Sequence, residues 1–377
     1  MDLKAYLEPH CTINNNQPKA SQRITAFVDC FDSGLNLASY EVFILGVPEG
    51  RNTFENQDCS LAPDEIRKSF YSLFSGDWHF SVLDLGNLKV GETFQDTYRV
   101  LTDISAYFIK MNKVLVVLGG GHDLIMPIFN GHSILNKPLN FASVDACLDF
   151  QKHGNWNSKS FLSPMLSSQD SLLAKYSLIG YQTYLSSQKE IELMNQMHFN
   201  MIRLGDVNTD LSDLEPYIRE LHHISIDLCC LKVSESPGNP HSGPNGISAE
   251  SFCSIMRYAG MSSSIQTILL SELNLFLDLN CQSAQIYAQS LWYFFEGFEL
   301  RNNDSLFLEK DNFLIFHIQS SLAELVFYKS KSSSRWWVSF SAETKSIENS
   351  LLPCSFSDYK KAVEGNLSER LLKHLKL

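Results

Sequence analysis

The sequence is short of positive charge. It carries 30 Lys and Arg against 42 Asp and Glu, a formal net charge of −12. It has no long Lys/Arg run, so a nucleic-acid backbone is excluded as an expected partner. It also lacks the ~18 consecutive apolar residues that a membrane-spanning helix requires. The longest candidate, Ile286 to Phe295, suits a core helix, and no membrane partner is expected. Met1 to Pro9 carries Asp2, Lys4 and Glu8 and has no apolar segment, so no secretory signal is expected. The nine cysteines are odd in number and follow no regular spacing. Together with the missing export signal, this points to reduced thiols and a cytoplasmic protein. Gly119-Gly120-Gly121 has neither the spacing of a dinucleotide fingerprint nor the lysine of a P-loop. Its reading is a tight strand-to-helix turn.

What is present is an ordinary globular balance, 44% hydrophobic and 19% charged. Short apolar runs alternate with longer amphipathic stretches. Glu41–Val47, Phe80–Leu85, Lys113–Leu118, Leu139–Val144, Tyr176–Gly180, Met201–Gly205, Ile224–Asp227 and Thr267–Glu272 read as strands. Most are continuously apolar, as in strands buried on both faces of a parallel sheet. Ala62–Phe74, with Pro63 in its first turn, reads as a helix, as do Thr93–Met111, Ser187–Met197 and Ser248–Tyr258. The alternation predicts an α/β fold, a three-layer α-β-α sandwich around a mainly parallel sheet, over residues 1–302. Residues 303–377 read as a small appendage packed on it. There Asp311–Tyr328 and Arg335–Phe340 look like an antiparallel strand pair, followed by a final helix over Ser357–Lys373. Trp336 and Trp337 read as packing residues of that appendage.

In parallel α/β sheets ligands bind beyond the carboxyl ends of the strands. Four predicted strand ends carry a particular set of side chains: Gly119-Gly120-Gly121-His122-Asp123, Asp145-Ala146-Cys147-Leu148-Asp149, Asp227-Leu228-Cys229 and Ser271-Glu272-Leu273-Asn274. Imidazole, carboxylates and thiols meeting at one sheet edge have the composition of a metal site. Asp145 and Asp149 could instead be strand-end and helix-cap carboxylates. Cys147 and Cys229 could be small buried apolar residues. His222 and His223 precede a core strand and read as structural. His241 lies in a loop after the Asp227 strand.

The order and context of these segments resemble the ureohydrolase family, which includes arginase, agmatinase and formimidoylglutamase. Gly46-Val47-Pro48 with Ala62-Pro63-Asp64-Glu65-Ile66-Arg67 resembles the family's opening strand and helix. Gly120-Gly121-His122 resembles Gly-Gly-x-His, and Asp145 to Asp149 resembles Asp-Ala-His-x-Asp. Ser225-Ile226-Asp227-Leu228-Cys229 resembles Ser-x-Asp-x-Asp, and Glu272 to Asn274 resembles Glu-x-Asn. The resemblance covers about residues 40 to 300 and is nearest to divergent bacterial formimidoylglutamase-like proteins.

The resemblance implies a site built for two Mn(II) ions and a bridging hydroxide that attacks an amidine or guanidine carbon. It assigns His122, Asp145, Asp149 and Asp227 to one ion. Asp145 and Asp227 are also shared with the second ion, whose two private ligands are replaced by Cys147 and Cys229. Thiolates suit Zn(II) better than Mn(II). Three states follow: one Mn at most, a mixed site with Zn on Cys147 and Cys229, or no metal. Asp149 and Glu272 are the candidate catalytic residues. Glu272 also matches the anchor of the substrate's amidinium or guanidinium group. Asn157 falls where the family has a substrate-side His, and nearby His153 is a weaker substitute. Two functions are therefore expected in competition. One is a metal-dependent C–N hydrolase of a formimidoylglutamate-like small molecule. The other is a catalytically impaired relative that binds a small ligand or a partner. The resemblance further implies a homo-oligomer.

Overall fold

The computed structural model describes residues 2–9, 22–32, 34–150, 156–167, 172–301, 312–319, 324–341 and 351–375. Ten strands form one sheet: β1 (Leu7–Glu8), β2 (Val28–Cys30), β3 (Val42–Gly46), β4 (Val82–Leu88), β5 (Val114–Leu118), β6 (Leu139–Val144), β7 (Leu173–Tyr181), β8 (Asn200–Arg203), β9 (His223–Asp227) and β10 (Thr267–Ser271). Their order is β1-β4-β3-β5-β10-β9-β6-β7-β8, with β2 also pairing β4. Every pairing is parallel except that of β1 with β4. This is the expected α/β sandwich with a mainly parallel sheet.

The continuous apolar runs are explained by burial on both faces. On β5, Val114, Val116 and Leu118 point into one core, and Leu115 and Val117 into the other. The first core is closed by the helices Ala62–Tyr71, Ala249–Met261 and Gln282–Glu299. The second is closed by the helices Phe94–Lys110, Ile125–Ile134, Leu162–Ser167 and Gln188–Gln196. The helix starts follow from local chemistry. Thr93 and Ser187 each cap their helix in a reciprocal capping box, with Asp96 and Glu190 respectively.

Some boundaries differ from expectation. Leu204 and Gly205 do not extend β8 but begin a short helix, Leu204–Thr209, with Asp206 bonded back to the Arg203 amide. In the C-terminal region the expected strand pair is an antiparallel sheet of four: β11 (Phe313–Gln319), β12 (Glu324–Ser330), β13 (Trp336–Ser341) and β14 (Leu352–Cys354). The first expected run is thus two strands, and the residues between them, 320–323, lie outside those described. The expected final helix is two helices, Phe356–Val363 and Glu369–Leu375, because Gly365 takes a φ of +84°. This sheet meets the main body through Arg219, which donates to the Trp336 carbonyl and lies over the Trp337 ring, and through the Arg335–Glu215 ion pair.

One buried polar contact ties the first helix to the sheet. Arg67 and Asp84, each 1% exposed at the side chain, are paired at 2.9 Å, and Tyr71 donates to the same carboxylate. Removing one partner leaves a buried charge uncompensated, which costs about 3–5 kcal/mol. Arg67→Met is therefore expected to lower the unfolding free energy by about that amount in urea titrations. A loss below about 1 kcal/mol, the size of an exposed pair, would contradict this role.

Candidate metal centre

The centre of the sheet decides where the polar side chains meet. β5, β10, β9 and β6 are consecutive neighbours, so their carboxyl ends form one continuous stretch of edge. That stretch delivers His122, Glu272, Asp227 and Asp145. After β5 the chain turns back through Gly119 and Gly120, at φ +80° and +75°, a region open to glycine. A Cβ on Gly120 would lie 2.6 Å from the Glu49 carbonyl oxygen. The turn brings the His122 amide to Glu272 Oε1, to which it donates at 2.9 Å.

His122 points Nδ1 at three carboxylates: 3.1 Å to Asp149 Oδ2, 3.5 Å to Asp145 Oδ2 and 3.8 Å to Asp227 Oδ2. Its Nε2 is 2.8 Å from the Ser225 hydroxyl on β9, which fixes the ring. The ligand atoms of His122, Asp145, Asp149 and Asp227 all lie within 4.8 Å of one another, and all four residues are buried. The Asp-x-Cys spacing has a backbone reason. Asp145 Oδ1 accepts from the Cys147 amide at 3.1 Å, and Asp227 Oδ1 accepts from the Cys229 amide at 2.8 Å. Each aspartate is braced by its own turn and presents Oδ2 to the centre. Among the described residues, buried Asp145 Oδ2 has no hydrogen-bond partner.

Close packing of these charges shifts their protonation. Burial pushes His122 down, but the facing Asp145, Asp149 and Asp227 carboxylates outweigh it and lift the imidazole to about 10. Burial and the neighbouring Asp145 charge push Asp149 up to about 7. Burial alone would raise Asp145, but the Lys159 and His122 charges hold it below the usual carboxylate range.

The other side of the cluster holds sulfur and an ammonium. Cys229 Sγ lies 3.2 Å from Asp145 Oδ1, and Cys147 Sγ lies 3.8 Å from the same oxygen. Burial, and next to it the carboxylates, raise the Cys229 thiol well above its ordinary value. Burial does the same for Cys147. Lys159, which sequence reasoning did not single out, sends its side chain into the centre. Its Nζ is 2.7 Å from Asp227 Oδ2, 3.5 Å from Asp149 Oδ1 and 3.8 Å from Cys229 Sγ. The available signal was its place two residues after Asn157, the position where the family has a substrate-side His.

Asn157 shapes that loop. Its Oδ1 accepts from the Lys159 amide at 2.9 Å. His153 lies outside the described residues. His241 stacks on Phe54. Glu272 is buried at φ +65° and has no Arg or Lys ion pair among the described residues. Its second oxygen accepts from Asn56 Nδ2 at 2.7 Å, so both oxygens are engaged by donors. Asn56 and Asn239 were also missed. Asn239 Nδ2 reaches Asp227 Oδ1 at 3.3 Å and the Glu272 carbonyl at 3.1 Å.

An ion shared by His122, Asp145, Asp149 and Asp227 would meet one imidazole nitrogen and carboxylate oxygens, a donor set suited to Mn(II). It would also satisfy the stray Asp145 oxygen. The thiol side offers soft sulfur beside an ammonium and does not fit a second hard ion.

Fold and site together define a class. The family model described as the arginase family matches residues 40–296, more than half of the chain. This chain belongs to the arginase family. Formimidoylglutamases of Lysinibacillus sphaericus and Bacillus subtilis are both 21% identical to it. The first match covers 60% of this chain and 74% of the relative, the second 68% and 87%. Among solved structures, the B. subtilis formimidoylglutamase superposes with a TM-score of 0.68 at 16% identity, covering 78% of this chain and 96% of that one. The Trypanosoma cruzi formiminoglutamase with Mn2+ superposes at 0.66 and 17% identity, covering 75% and 100%. At such identities these structures establish the fold.

Glu272→Gln would turn an amide nitrogen towards one of two donors, the His122 N–H or the Asn56 amide. An unsatisfied buried group costs about 1–3 kcal/mol. Unfolding in urea is expected to show a loss of about that size. Unchanged stability would mean that Glu272 does not pin the two strand ends.

Proposed function

We propose that this chain is a catalytically impaired ureohydrolase. On this reading it binds a formimidoylglutamate-like amidine or guanidine at a centre with room for one hard ion. It hydrolyses the C–N bond far more slowly than a two-ion enzyme would. The observation that carries this reading is the pair Cys147 and Cys229, sulfur side chains beside Asp145 at both positions that the family likeness assigns to the second ion.

His122, Asp145, Asp149 and Asp227 would hold the remaining ion. A bound divalent ion lowers the pKa of its water, and two ions lower it further. Asp149 would serve as a ligand from the short loop after β6. Glu272 lies next to the cluster, and the family likeness supports its assignment as anchor of a cationic amidinium group, a role it would share with holding the His122 amide and Asn56. Asn157 cannot exchange protons near neutrality as an imidazole can. Its side chain is engaged with its own loop. Cys147 and Cys229 are both free thiols, in keeping with a reducing, cytoplasmic setting. Among the described residues no helix is long and apolar enough to cross a membrane.

The second reading, a competent one-ion hydrolase, is favoured by the intact four-ligand set. Metal content and turnover separate the two. Protein purified without chelator and loaded with Mn(II) is expected to retain one ion per chain by plasma mass spectrometry. It should release glutamate and formamide from formimidoylglutamate, or urea from arginine, at a rate near the uncatalysed one. Robust Mn(II)-dependent turnover would overturn the impaired reading.

A further inference from the structure

Buried carboxylates need nearby positive charge, and this chain brings its own to them. Asp145, Asp149 and Asp227 are each at most 2% exposed. Lys159 is 7% exposed as a residue. Burying so long and flexible a side chain is uncommon for lysine unless it is paired. Its ammonium is within 3.5 Å of two of the three carboxylates. It is also 3.8 Å from Cys229 Sγ. The loop that aims it is pinned at several points. Asn157 Oδ1 holds the Lys159 amide, the Ser158 amide donates to the Asn52 carbonyl, and the Ser158 hydroxyl accepts from the Phe54 amide. Next in sequence, Phe161 packs edge-on against the His122 ring. The lysine therefore enters as part of a built wall.

We propose that the Lys159 ammonium is a fixed cation standing in for the second metal ion, seated between the shared ligand Asp227 and Cys229. The inference concerns the same site and rests on the reading that the second ion is gone. It adds the reason why restoring ligands alone does not bring that ion back. A divalent ion on this side would have to share Asp227 Oδ2 with an ammonium 2.7 Å away. Like charges at such a separation repel strongly in a buried site. The lysine compensates the carboxylates in the absence of that ion.

The experiment compares Mn(II) stoichiometry in four full-length proteins: the native chain, Lys159→Met, the double variant Cys147→His with Cys229→Asp, and the triple variant that adds Lys159→Met. Plasma mass spectrometry counts ions, and electron paramagnetic resonance detects a spin-coupled Mn pair. The native chain and the double variant are expected to hold one ion, and the triple variant two with a coupled signal. A double variant that already holds two ions would overturn the role of Lys159. So would a triple variant that has native circular dichroism and holds one. If the native chain itself holds two, the impaired reading fails as well. Lys159→Met alone covers the case of a triple variant that does not fold, since Met keeps the length and removes the charge. Its Tm should rise on adding Mn(II) by more than the native chain's, and an equal or smaller rise would overturn the proposal.

Discussion

Three carboxylates buried around one point cannot stand without positive charge close by. Moving an isolated carboxylate from water into a protein interior costs several kcal/mol even after relaxation. Here Asp145, Asp149 and Asp227 converge with their Oδ2 atoms on one imidazole, and the Lys159 ammonium bonds Asp227 Oδ2 as well. A metal ion, a proton on His122 and the Lys159 ammonium are alternative ways of meeting one electrostatic requirement. In the metal-free protein the proton and the ammonium meet it together. An ion held by His122, Asp145, Asp149 and Asp227 would take over part of that charge balance.

The sheet makes this convergence unavoidable. β5, β10, β9 and β6 lie side by side and run the same way, so each ends at the same edge. Residues at the ends of those strands, or within five positions after them, are brought to that edge. The backbone then fixes the details. Glycines at positive φ turn the chain towards His122, and the amides of Cys147 and Cys229 orient the two shared aspartates. The cysteines thus keep a structural task, bracing the aspartates through their backbone, while their side chains no longer offer hard ligands. A fold can keep its site geometry after its chemistry has changed because the geometry is built into the main chain.

Much of this was legible in the residues alone. The strands came from continuous apolar runs. The strand ends pointed to the segments that hold His122, Asp145, Asp149 and Asp227, and the family resemblance singled out these four as ligands. Lys159 was not legible in the same way, because it sits on a loop with no period. Only the folded path shows that its ammonium turns inward instead of to solvent, where lysines usually lie. Asn56 and Asn239 were missed for a related reason. Each lies in a loop and acts by bonding to Glu272, a partner 216 and 33 positions away in the chain. The break of the final helix at Gly365 was visible as a residue and overlooked as a stop.

The account stands on where cations sit around Asp227. Crystals grown without chelator and soaked in Mn(II) would show this directly by anomalous diffraction at the manganese edge. The account predicts a single anomalous peak among His122, Asp145, Asp149 and Asp227, with the Lys159 side chain still bonded to Asp227. Two peaks, with Lys159 turned out of the cluster and a solvent atom bridging the ions, would contradict it.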